Sequence, residues 1–206
     1  MTGKPDHLTD DAGAALAESI DERISFIRSK RWVAYPKAIE ILGHLNALLK
    51  HPRTTRMPSL AVYGDSGMGK SMLVEKFKDD YALSTREKPR APRSKLLVVE
   101  LAGRPNERRL FAQILAVLGA PQNPRATIVE LERTTVRLLG DLGVQVLVLD
   151  EIHNVLAASW REQRVVFNTL RYLSNELKLS LVCFGIISAG IPTVRRRPPD
   201  GFVTPG

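Results

Sequence analysis

The sequence predicts an α/β fold, a parallel sheet with helices on both faces. Three observations carry that expectation. Short, continuous apolar runs alternate with longer stretches of helical periodicity, the pattern of strands buried on both sides. One such run, "SLAVYG", leads directly into "GDSGMGKS", positions 64–71, which opens a helix. Another, "VQVLVLDE", ends on two adjacent carboxylates, Asp150 and Glu151, where open parallel sheets place their ligands.

In chain order, "LTDDAGAALAESIDERISFIRSK" begins with the cap-type residues Thr9 and Asp10. Leu16, Ile20, Ile24 and Ile27 then fall on one helical face. In "YPKAIEILGHLNALLKHP", Pro36 sits where a first turn tolerates it, and Ile41, Leu45, Leu48 and Leu49 form the apolar stripe. Residues 1–55 are therefore expected to form an N-terminal helical arm. Residues 56–189 form the core. There "SLAVYG", "KLLVVELAG", "VQVLVLDE" and "LSLVCFGII" read as strands. Helices are expected from about Lys70 to Asp80, over "NERRLFAQILAVLG" and "ATIVELERTTVRLLGDLG", and from about Arg161 to Leu177. "STREKPRAPRSK", 84–95, reads as a basic loop, and residues 190–206 as an irregular basic tail.

Composition bounds the function. Charged residues at 25% and hydrophobic residues at 44% suit a water-soluble core. The single cysteine, Cys183, excludes a disulfide within the chain and suits a reducing cytoplasm. No apolar run is long enough to span a bilayer and no signal core is visible, so no membrane partner is expected. Four scattered histidines offer no metal-ligand cluster. The net charge of +8 favours polyanions, nucleic acid above all, although a solvated basic surface would give the same number.

The glycine-rich segment carries the chemistry. Its spacing is glycine, any four residues, glycine, lysine, serine. Gly64, Gly67 and Gly69 let the backbone bend so that successive N–H groups point inward at phosphate oxygens. Lys70 is expected to reach the β- and γ-phosphates, and Ser71 to place its hydroxyl on Mg²⁺. The nucleotide-binding stretch is read as Gly64, Asp65, Ser66, Gly67, Met68, Gly69, Lys70, Ser71 and Met72. Asp150 is expected to hold Mg²⁺ through water. Glu151, one residue on, is expected to polarise the attacking water. Catalysis is thus assigned to Glu151, Asp150 and Lys70, with ATP and Mg²⁺ as cofactors. His153 and Asn154 read as packing or capping residues.

Several separate segments, "RWVAYPKAIEILGHLNALLKHP", "RMPSLAVYGDSGMGKS", "LDEIHNVLAAS" and "FNTLRYLSNELKLSLVCFG", resemble the TniB proteins of transposons. Those are AAA+ ATPases, relatives of TnsC and MuB, and the resemblance runs from about Arg31 to Gly185. It implies a P-loop NTPase fold of AAA+ type, with the fourth strand between the first and third. It also implies ATP-dependent assembly on double-stranded DNA of low specificity and recruitment or activation of a DDE transposase. A TniQ-like partner and homo-oligomers are implied as well.

Two departures shape the expectation. Ile186 and Ile187 stand where such proteins carry a polar sensor residue, and Ser188 is the nearest substitute. After Ala189 too few residues follow for a fifth strand, an arginine finger and a helical lid, so a C-terminally truncated member with the lid missing is expected. Impaired hydrolysis and no ordered filament on DNA would follow. The run Arg195–Arg196–Arg197 lacks a rigid element to aim it. Candidate DNA contacts are Arg86, Lys88, Arg90, Arg93 and Lys95, then Arg104, Arg108 and Arg109, then Arg161, Arg164 and Arg171. The alternative is a nucleotide-binding remnant without ATPase activity, non-functional or acting only through interactions. A small-molecule kinase is disfavoured, because neither an acceptor site nor a lid is visible.

Overall fold

The computed structural model describes residues 8–29, 31–86, 94–104, 106–121 and 123–186. The chain divides into two compact units, residues 1–34 and 35–206. The sequence reading instead placed the end of the arm at residue 55.

The first unit contains α1 (Asp10–Ala15) and α2 (Ile20–Arg28). One continuous helix was expected here, and two short ones form. Thr9 caps the first, as anticipated. The second starts at Ser19, whose hydroxyl accepts from the Glu22 N–H while the Glu22 carboxylate accepts from the Ser19 N–H. This reciprocal cap satisfies donors that a continuous helix would have paired internally, so a new helix begins there. Leu16, Ile20, Ile24 and Ile27, expected on one helical face, are exposed.

The second unit holds α3 (Pro36–Lys50), β1 (Leu60–Tyr63), α4 (Lys70–Arg86), β2 (Leu96–Glu100) and α5 (Glu107–Val117). It continues with α6 (Ile128–Leu142), β3 (Val146–Asp150), α7 (His153–Leu156), α8 (Trp160–Leu177) and β4 (Ser180–Gly185). The short α7 had no counterpart in the sequence reading. α4 runs past its expected end at Asp80, so the basic segment 84–95 begins inside a helix. The backbone N–H of Lys95 donates to the Tyr81 hydroxyl at 2.8 Å, which ties that helix to the start of β2.

The four strands are all parallel, in the order β1-β4-β3-β2. β4 thus lies between β1 and β3. Every residue of β3 is buried, as its unbroken apolar run requires of a central strand. Alternation divides its side chains between two faces. Leu147 and Leu149 join Leu97 and Val99 in one core cluster with Phe111 and Ile114 of α5, Leu139 of α6, and Leu170 and Leu173 of α8. Val146 and Val148 fall outside that cluster yet are fully buried, as is Phe77 of α4. α4 packs on β2 and against α3, which buries Ala38, Ile41, Leu45 and Leu48. α3 is therefore part of the sheet unit.

Helix ends are fixed locally. Thr127 and Ser159 form reciprocal caps with Glu130 and Glu162 at the starts of α6 and α8. Gly143, in the left-handed conformation at φ 69°, ends α6. No helix among the described residues is long and apolar enough to cross a membrane. Ile187, Ser188, the 190–206 tail with its arginine run, and Lys88, Arg90 and Arg93 lie outside the described residues.

Candidate nucleotide site

The glycine-rich loop leaves β1 at its C-terminal end. The Gly64 N–H donates to the Gly185 carbonyl at 3.3 Å, extending the β1–β4 pairing by one residue. The backbone then turns through Gly67 (φ 82°) and Gly69 (φ 81°), conformations that side-chain-bearing residues rarely adopt. A Cβ built at either glycine meets nothing within 4 Å, so the loop encloses open space. α4 starts immediately, with the Leu73 N–H donating to the Gly69 carbonyl. Its first-turn N–H groups lack partners within the helix and face the loop, the arrangement that binds anions.

Lys70 reaches back across this loop. Its Nζ donates to the carbonyls of Gly64 at 2.8 Å and Asp65 at 2.7 Å. Both acceptors are neutral dipoles, and a phosphate oxygen in the same hollow would offer the ammonium a full negative charge.

A second wall comes from β3. Asp150 ends the strand, nearly buried, and its Oδ1 accepts from the Glu151 N–H at 2.9 Å. Burial pushes the Asp150 carboxyl above the ordinary carboxylate range, and the neighbouring Glu151 charge adds to this. The Glu151 N–H, Lys70 and His153 oppose the shift. A bound cation would reverse this balance, which is what a metal-holding carboxylate requires. Glu151 takes φ 59°, a left-handed conformation uncommon for a residue with a side chain. The turn is locked on both sides: the Ile152 N–H donates to Phe184 of β4, and the Leu101 N–H to Asp150.

Loop and strand end meet in one cavity of about 430 Å³, lined by Ser66, Gly67, Gly69, Lys70, Ser71, Met72, Glu151, His153 and Ile186. The structure therefore brings Ser66, Gly67, Gly69, Lys70, Ser71 and Met72 of the loop to one place with Glu151, while Gly64, Asp65, Met68 and Asp150 do not line this cavity. A glycine loop at a helix start, an ammonium, a hydroxyl and the Glu151 carboxylate in one hollow, with the buried Asp150 next to Glu151 in the chain, make a ligand set that fits a nucleotide polyphosphate with Mg²⁺.

Beside it lies a second cavity of about 360 Å³, which shares Gly64, Met68 and Lys70 with the loop. Tyr35, Ile41, Val62, Tyr63 and Leu73 supply its apolar wall. The Tyr35 hydroxyl reaches the Met68 carbonyl at 3.4 Å. The sequence reading missed the contribution of Tyr35, Lys37 and Ile41, because only packing places the start of α3 against the loop. Pro36 was the single visible sign that a helix began there.

His153 and Asn154 part company. The Asn154 Nδ2 donates to the Leu101 carbonyl at 2.7 Å and fastens α7 to the end of β2, a packing role as expected. His153 instead contacts the Glu151 carboxylate at 3.1 Å. Directly after β4, Ile186 lines the cavity with an apolar side chain.

Among the described basic candidates, Arg108 and Arg161 line one cavity of about 320 Å³ together with Glu162. Arg104 pairs with Glu162 at 3.1 Å, and Arg108 donates to the Ala126 carbonyl. Arg161, Arg164 and Arg171 are exposed along α8.

A parallel sheet with a glycine-rich phosphate loop after its first strand and acidic residues after its third is the fold of P-loop NTPases of the AAA+ class. Among solved structures it is similar to the Aeropyrum pernix ORC1 protein in complex with DNA (19% identity, TM-score 0.58, 73% of this chain and 38% of that one). It is also similar to Cdc6p from Pyrobaculum aerophilum (20%, 0.55, 78% and 41%) and to Drosophila ORC bound to DNA (16%, 0.56, 91% and 46%). The chain spans less than half the length of each of these. No curated protein matches it in sequence. Residues 23–194 match the family described as bacterial TniB protein, and the chain belongs to that family. Family and fold together support a nucleotide-binding protein related to transposition.

Proposed function

We propose that this chain is an ATP-dependent accessory protein of transposition that binds duplex DNA with little sequence preference and recruits or activates a DDE-type transposase. The observation that carries its nucleotide half is the cavity that joins the Gly64–Met72 loop to Glu151. Phosphates sit on the loop, with Lys70 moving from its carbonyl partners onto the β/γ oxygens. The base fits the apolar cavity walled by Tyr35 and Ile41. Ser71 and Asp150 would hold Mg²⁺, which would neutralise charge building on the phosphates. Glu151 orients a water whose oxygen bonds to the γ-phosphorus as the bond to the β–γ bridging oxygen breaks. A water proton passes through Glu151 to the phosphate, leaving ADP and inorganic phosphate.

The DNA half rests on the net charge of +8 and on family membership. Homo-oligomers, a TniQ-like partner and a cytoplasmic location belong to the same reading. A second reading, nucleotide binding without effective turnover, is favoured by Ile186, which puts an apolar group where a polar one would meet the γ-phosphate.

Single-turnover ATP hydrolysis with and without duplex DNA tests both. Hydrolysis that DNA stimulates and that Lys70→Ala and Glu151→Gln each abolish supports the first reading. ATP binding with a rate no higher than that of Lys70→Ala supports the second.

A further inference from the structure

We propose that His153 is a positioning residue for Glu151, holding one carboxylate oxygen so that the other is presented to the attacking water; this rests on the hydrolytic reading above. The His153 Nε2 lies 3.1 Å from the Glu151 Oε2. The other ring nitrogen, Nδ1, is buried and has no partner among the described residues. A histidine kept only for packing would be expected to satisfy a buried nitrogen. Here the ring's polar contact is with the Glu151 carboxylate instead.

Two further observations converge on the pair. Glu151 holds a left-handed backbone, so the strand does not set its side chain by regular alternation and another group must orient it. The end of β4 meets the same cavity through Ile186, whose side chain cannot hydrogen-bond to a carboxylate or a water. The orienting contact comes from α7, whose first residue is His153. α7 is itself fastened by Asn154 to the end of β2. The Glu151 side chain remains about one-third exposed and lines the cavity.

The experiment uses the full chain and three readouts: single-turnover hydrolysis, ATP affinity, and nitrogen NMR of histidine-labelled protein without nucleotide. His153→Ala should slow hydrolysis by about 10- to 100-fold, the range seen when the partner of a reacting group is lost. ATP affinity should stay unchanged. His153→Gln, whose amide nitrogen can donate from a similar position, should recover most of the rate. The His153 ring signal should move in Glu151→Gln protein, a readout that also serves if His153→Ala does not fold. A His153→Ala enzyme as fast as wild type, or an unmoved ring signal, would each overturn the proposal. A wild-type rate no higher than that of Lys70→Ala would instead remove the hydrolytic reading, and this proposal with it.

Discussion

At Lys70 the ammonium already sits among the carbonyls of Gly64 and Asp65, so the charge that would meet phosphate is in place before a ligand arrives. Nucleotide at about a hundred times its dissociation constant should stabilise the fold by ~2.7 kcal/mol. For a chain of this size that is roughly 5–10 °C in melting temperature. Lys70→Ala should abolish this shift, and an undiminished shift in thermal melts would remove the loop assignment. Asp150 gives a prediction with a sign. Burial raises its folded pKa above the unfolded value, so the folded state binds its proton more tightly. Stability of the nucleotide-free protein should therefore fall as pH rises from the ordinary carboxylate pKa through the raised one. Asp150→Asn keeps the acceptor for the Glu151 N–H and removes the charge. It should melt higher than wild type at neutral pH without nucleotide, and lose the added stabilisation by Mg²⁺ with ATP. Denaturation across acid and neutral pH checks both halves. Gly185 is fixed by space rather than dihedral angle. A Cβ there would lie 2.8 Å from the Ile152 Cγ2 and 3.2 Å from the Tyr63 ring. Gly185→Ala should cost ~1–3 kcal/mol by overpacking. A wild-type melting midpoint for that variant would show that the turn after Glu151 shifts without penalty.

Among the elements, the link from α3 to β1 does more than span a gap. The Arg53 guanidinium donates to the Leu177 carbonyl at the end of α8 and to the Gly143 and Val144 carbonyls after α6. The side-chain amide of Gln145 donates to the His51 carbonyl, which anchors the same segment from the other side. One arginine thus satisfies carbonyls at two helix ends that have no acceptor role inside their helices. The site is partly exposed, so the expected cost of Arg53→Ala is about 1 kcal/mol. Urea titration should show an earlier midpoint with an unchanged slope. A variant as stable as wild type would mean that water replaces the guanidinium at no cost. The divided arm makes a related point. Apolar spacing alone ran Leu16 to Ile27 as one stripe, and the Ser19–Glu22 cap cut it in two.

For the molecule as a whole, charge is the property that reaches beyond the fold. With the net charge of +8, duplex DNA should bind through phosphates. If about four phosphates are neutralised, affinity should drop roughly a hundredfold between about 50 and about 200 mM salt. Filter binding over that range, with two unrelated duplexes, checks it. A flat response, or strong preference for one duplex, would speak against backbone binding. Arg104 and Arg108 have protein partners already, which shifts expectation toward the exposed arginines of α8.

By itself the sequence determined the parallel sheet, its strands and the phosphate loop. Those are local or periodic properties: continuous apolar runs for buried strands, and glycines at Gly67 and Gly69 for a backbone that other residues resist. It also placed Asp150 and Glu151 at a strand end. Only the tertiary structure decided what meets them. Tyr35 reaches the loop across thirty-three residues of chain, and Arg53 reaches Leu177 across 124. No spacing in the sequence encodes such contacts, because they depend on how helices settle against the sheet. The contact of His153 with Glu151 was not legible for a nearer reason. Three residues past the strand end, its direction depends on the left-handed turn at Glu151, and a backbone dihedral cannot be read from residue type when the residue is not glycine.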